Sequence, residues 1–91
     1  MVKDRIQLTK IARKLVDNLQ KKNIKVERLV LFGSYAAGTM RSDSDIDIAV
    51  ISSSFNRKNI IQRQEILGEA IYPLAESIEA IGYGFSEYKN P

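Results

Sequence analysis

Two short runs of branched apolar residues decide most of what this chain can become. Val26 to Phe32 is apolar almost throughout from Leu29, as a buried central strand would be. Asp45–Ile51 reads DIDIAVI, a second strand with strong β-branched content. Between them Gly33-Ser34 breaks the first strand. Residues 34–38 suit a short helical turn closed by Gly38, and residues 39–44 are a polar loop. A connection of about a dozen residues with so little helix favours an antiparallel pair.

The rest of the pattern builds around that pair. Residues 4–21 predict an amphipathic helix, because Leu8, Ile11, Ala12, Leu15 and Leu19 recur at spacings of three and four. Lys21-Lys22-Asn23 ends it, with cations suiting the C-terminus and Asn the turn. After a loop over 52–56, residues 57–71 predict a second helix with Ile60, Ile61, Leu67, Ala70 and Ile71 facing inward, stopped by Tyr72-Pro73. Glu76–Ile81 is a third, shorter strand. Gly82 and Gly84 then open a tail in which Ser86 and Glu87 begin a helix that is not completed. Strands joined through a helix run parallel with a right-handed crossover. The expectation is therefore an α+β chain in the order α-β-turn-β-α-β. A small mixed sheet carries its helices mainly on one face.

Ninety-one residues, 44% of them hydrophobic, suit one core, so a single domain over 1–91 is expected. No run approaches the ~20 apolar residues of a membrane span, and the charged start MVKDRIQLTK is unlike a signal peptide. A cytoplasmic protein with no membrane partner is the expectation. The net charge of +3 is unevenly spread: nine of the fourteen Lys and Arg, and only three of the eleven acids, lie in residues 1–28. A solvated basic helix face accounts for this, and nucleic-acid binding through that helix is a weaker alternative. The chain has only seven Phe and Tyr, most of them outside the basic segment, so it lacks the stacking surface that single strands favour.

The chain has no His, Cys or Trp. That excludes Ser-His-Asp and Cys-His nucleophiles, thiolate and imidazole metal sites, and disulfides. Carboxylates, hydroxyls, cationic side chains, backbone amides and a borrowed hard metal ion remain. Two features supply them. Gly33-Ser34 at a strand end lets backbone approach a ligand, and the N–H groups of the following turn and the Ser34 hydroxyl can hold an anion. Taken alone, such a pair is more often only a turn. Asp45 and Asp47 stand at i and i+2 on one strand, so both carboxylates share a face while Ile46 and Ile48 point to the core. Like charges so close repel, and a divalent cation between them resolves the conflict; two solvated acids at a strand edge are the plainer alternative. The antiparallel pairing places Gly33-Ser34 beside Asp45 and Asp47, and the parallel third strand brings its early acids, Glu76 and Glu79, to the same end. Glu79 interrupts an apolar alternation, as a third metal ligand or as a solvent-facing residue.

The whole segment from Leu31 to Val50, with Gly33-Ser34 and Gly38 followed by Ser44-Asp45-Ile46-Asp47, resembles the signature of the DNA polymerase beta-like nucleotidyltransferase superfamily, and most of all its minimal nucleotidyltransferase family. The resemblance implies a nucleotidyltransferase fold and Mg²⁺-dependent transfer of a nucleoside monophosphate, AMP from ATP, to a hydroxyl. It implies that Gly33 and Ser34 grip the triphosphate, that Asp45 and Asp47 hold two Mg²⁺ ions, and that Glu79 is the third carboxylate, a metal ligand that helps activate the attacking hydroxyl. The usual third acid is Asp, one methylene shorter. Ala37 stands where many relatives have a basic residue, and Arg41 is a candidate substitute at the nucleotide. The resemblance also implies a partner, a small helical HEPN-type protein, with this chain as the antitoxin of a toxin–antitoxin pair. Larger relatives append acceptor-binding domains, for which 91 residues leave little room. The Glu79 departure motivates an alternative, a catalytically weak or inactive module that neutralises its partner by contact. A homo-oligomer stays open.

Overall fold

Of the domain expected over residues 1–91, the computed structural model describes residues 2–89. Its first helix, α1 (Arg5–Lys21), starts at a reciprocal cap. The Asp4 carboxylate accepts from the Gln7 N–H at 2.8 Å, and the Gln7 side chain accepts from the Asp4 N–H at 2.8 Å. Ile11, Leu15 and Leu19 form its buried stripe. The strand β1 (Arg28–Phe32) follows, then a single helical turn, α2 (Gly33–Ala37), and the central strand β2 (Ile46–Ser52). After a 3₁₀ turn at Ser53–Phe55 comes α3 (Ile60–Ile71), opened by a second reciprocal cap between Asn59 and Gln62. A 3₁₀ turn at Tyr72–Leu74 leads to β3 (Ile78–Gly84) and a last short turn, α4 (Phe85–Lys89).

The three strands lie in the order β1-β2-β3, with β1 antiparallel and β3 parallel to β2. This is the mixed sheet that the connections predict. Alternation along β2 sends Ile46, Ile48 and Val50 to one face, where they join Ile11, Leu15 and Leu19 of α1, Phe55, and Leu67 and Ala70 of α3 in one core. Phe55, Leu15, Leu19, Leu67 and Val50 are wholly enclosed. Burial of each such side chain contributes about 1.5–3 kcal/mol before entropy is counted. The register puts Asp47, Ala49 and Ile51 on the opposite face. There Ile81 and Tyr83 of β3 stay 39% and 41% exposed, so helices do not blanket that side.

The end of the chain departs from expectation. Gly82 and Gly84 lie within β3 and do not begin a tail, and β3 starts at Ile78, not Glu76. The glycines serve close approach: a Cβ on Gly82 would stand 2.9 Å from the Phe55 ring, and one on Gly84 2.8 Å from Glu87 Oε1. Ser86 and Glu87 do sit in a short helical turn. In α3, Ile60 and Ile61 are 73% and 70% exposed rather than inward, and Arg63 takes the buried position instead. A buried guanidinium needs every donor used. Arg63 Nε donates to the Lys58 carbonyl at 2.8 Å, Nη1 to Gly82 at 3.2 Å and Nη2 to Phe55 at 2.7 Å. Its Nη2 also pairs with Glu87 Oε1 at 2.7 Å.

These contacts close an open sheet edge. The Ile46 N–H donates to the Ser77 carbonyl at 2.9 Å. That phase turns the backbone groups of Gly82 and Gly84 away from β2. Arg63 satisfies the Gly82 carbonyl and Glu87 accepts the Gly84 N–H at 2.8 Å, so one ion pair occupies the outer rim of β3. The Arg63 hydrogen bond, then the Gly84 N–H, hold the Glu87 carboxyl below its ordinary value. A lowered carboxyl stabilises the fold fully above the ordinary glutamate range, and that contribution disappears as pH falls through the depressed value. We expect Glu87→Gln to lower the unfolding midpoint at neutral pH and the two proteins to converge in acid, measured by denaturant unfolding across that range.

Candidate active site

Of the expected site residues, Gly33, Ser34, Asp45, Asp47 and Glu79 lie at one end of the sheet. Asp47 is the register partner of Phe32 on β1 and of Glu79 on β3, so it stands between the two neighbouring strands. Gly33 directly follows Phe32 and adopts φ +71, which L side chains avoid. It also presses on Asp47. A Cβ at Gly33 would overlap Asp47 Oδ2 and lie 2.9 Å from Cγ. The glycine is thus required twice, by its backbone and by the carboxylate that fills the space of its missing side chain. Ser34 is half-buried at the start of α2, its carbonyl taken by the Gly38 and Thr39 N–H groups.

Asp45 lies just before β2 and is exposed. The Ser77 hydroxyl donates to its Oδ1. Ser77 carries no signal of this role in the sequence, since only the parallel register brings residue 77 beside residue 45. Glu79 is exposed next to Asp47. Among the described residues no three acids are gathered tightly enough to hold an ion by themselves. The structure therefore brings Asp47 against Gly33 and beside Glu79, and ties Asp45 to Ser77, without closing Asp45, Asp47 and Glu79 into one cage. Glu76 belongs elsewhere: it pairs with Lys3 at 3.1 Å. Arg41 is exposed in a tight turn, its N–H donating to Ser44 Oγ at 2.8 Å and its carbonyl accepting from the Ser44 N–H at 3.0 Å. Among the described residues its guanidinium has no hydrogen bond or ion pair to Ser34, Asp45 or Asp47.

The donor set is all hard oxygen. Two carboxylates two residues apart fit a divalent cation that takes its other ligands from water and phosphate, and the cradle between Gly33 and Asp47 brings a backbone turn up to that position. The site is an open rim. Two hollows lie elsewhere, one of about 240 Å³ between α3 and the edge of β3 and one of about 250 Å³ between α1 and β1. Asp45, Asp47 and Glu79 line neither.

A mixed three-stranded sheet with four helices and acids at its end is the fold of a nucleotidyltransferase. A crystal structure of a candidate nucleotidyltransferase from Sulfolobus solfataricus shares it, with a TM-score of 0.73 at 24% identity, covering 92% of this chain and 73% of that one. The sequence matches the family model of the nucleotidyltransferase domain over residues 12–82, and the chain belongs to that family. The matched span includes Gly33, Ser34, Asp45, Asp47 and Glu79. No curated protein matches the sequence.

Gly33 and Gly38 give a controlled test of the cradle. Both have positive φ, but a Cβ at Gly38 meets nothing within 4 Å. Gly38→Ala should cost about 1–2 kcal/mol for its backbone alone. Gly33→Ala should cost more, because it also displaces Asp47, and the excess in denaturant unfolding measures that contact.

Proposed function

We propose that this chain is a Mg²⁺-dependent nucleotidyltransferase of the minimal type, moving AMP from ATP to a hydroxyl on a partner protein. The observation that carries this reading is the placement of Asp47 between the Gly33-Ser34 turn and Glu79. A phosphate grip, a cation ligand and a base candidate then stand side by side. The N–H groups of the turn that Gly33 opens, with the Ser34 hydroxyl, would donate to a phosphate. Asp45 and Asp47 are the residues that would hold the Mg²⁺ ions. Bound Mg²⁺ supplies charge neutralisation for the attacking and leaving oxygens. Glu79 takes the proton of the acceptor hydroxyl, whose oxygen bonds to the α-phosphorus as the bond to the β-phosphate oxygen breaks and pyrophosphate leaves. Such transfer depends on positioning and electrostatics, which a chain without His or Cys can provide.

The open rim supports the second half of the proposal. Transfer needs water kept from the reacting phosphate, and the carboxylates do not line an enclosed hollow. A partner surface that brings the acceptor hydroxyl also brings the cover. A small helical HEPN-type protein, with this chain as its antitoxin, is the partner we assign. No described helix is long and apolar enough to cross a membrane. Glu79, exposed and longer than the usual Asp, favours one competing reading, a contact-only module.

Incubation of the chain with a small helical HEPN-type protein, Mg²⁺ and ATP labelled at the α-phosphate separates these readings. Label should pass to the partner and fall at least about 10²–10³-fold in Asp45→Asn and Asp47→Asn. Complex formation without label would replace the enzyme by the contact-only module. Label arriving from the γ-phosphate would overturn nucleotidyl transfer altogether.

A further inference from the structure

Of the three candidate site acids, Asp45 is the one whose carboxylate accepts a side-chain hydrogen bond among the described residues. It precedes β2 by one residue, is exposed, and has no ion pair among the described residues. What holds it is Ser77, through two bonds. The Ser77 hydroxyl donates to Asp45 Oδ1, and the Ser77 carbonyl accepts from the N–H of Ile46 at 2.9 Å. Ser77 is itself fixed on both sides. Glu76 before it is anchored by Lys3 at 3.1 Å, and Ile78 after it begins the β3 ladder opposite Ile46. Its hydroxyl therefore reaches the carboxylate from the residue immediately before β3, whose carbonyl is already bonded to β2.

An aspartate has two oxygens, and a donor on one of them fixes the plane in which the other is offered. We propose that Ser77 is a positioning residue for the site. Its hydroxyl occupies Asp45 Oδ1 and so orients the carboxylate to offer Oδ2 to a divalent cation held jointly with Asp47. This rests on the reading that Asp45 and Asp47 bind the cation. It adds that the segment entering β3 contributes to metal binding through Ser77, independently of Glu79. Partners that orient a metal ligand are worth about 10–100-fold in affinity when removed.

The test is Mn²⁺ binding to the full chain without nucleotide, followed by the loss of the free-ion electron paramagnetic resonance signal. Ser77→Thr and Ser77→Val have nearly the same shape and differ in the hydroxyl. Thr should keep the wild-type affinity, and Val should lower it about 10–100-fold with the thermal unfolding midpoint of the two variants equal. Ser77→Ala should behave as Val. Equal Mn²⁺ affinity in the Thr and Val variants would overturn the positioning role while leaving the cation reading intact. Wild-type chain that binds no more Mn²⁺ than Asp47→Asn would overturn the cation reading itself, and the role of Ser77 with it. A Val variant that loses affinity only in proportion to lost folded protein, with Thr equally unfolded, would assign Ser77 to stability alone.

Discussion

The central strand is bonded on both sides, and its register decides what the molecule can do. Asp47 meets Phe32 on one flank and Glu79 on the other only because Ile48 pairs with Leu31 and with Ala80. Side chains alternate along a strand, so a slip of one residue would turn Asp47 into the core and Ile48 out to solvent. Burial prevents this. Ile46, Ile48 and Val50 are at most 4% exposed, and each would have to leave the core together. The apolar face of β2 thereby fixes the polar face. The positions of the carboxylates follow from packing on the side of the sheet that they never touch.

Much of this was legible in the residues. Branched apolar content marked β1 and β2, and connection lengths gave one antiparallel and one parallel pairing. The departures are tertiary. Gly82 and Gly84 resemble turn residues until the Phe55 ring and the Glu87 carboxylate are seen to occupy the space of their missing side chains. Ile60 and Ile61 have the right hydropathy for a core but fall at the start of α3, where Arg63, one turn on, is drawn in by three carbonyls from three segments. No periodicity records that an arginine has so many acceptors waiting. Ser77 was silent for the same reason, since its partner is 32 residues away.

The molecule treats its two faces differently. α1 and α3 seal one side, while the other keeps Ile81, Tyr83 and the acids in reach of solvent. At its far end Arg28 donates to the Tyr88 hydroxyl at 3.2 Å, so α4 folds back towards β1. Between that contact and Asp47, Ala49 and Ile51 of β2 are buried while Ile81 and Tyr83 of β3 stay partly exposed. For a site that must receive both a nucleotide and an acceptor, such openness leaves space that a deep cavity would not.

The two halves of the site also differ in what they need to form. The Gly33–Asp47 contact closes across a single antiparallel connection. The Asp45–Ser77 bond forms only where the crossover through α3 brings the start of β3 back beside β2. Non-local parallel pairing is slow. Only the docked third strand yields a complete site. A ligand that needs both halves binds the finished molecule alone, so its binding energy adds directly to the stability of the whole fold.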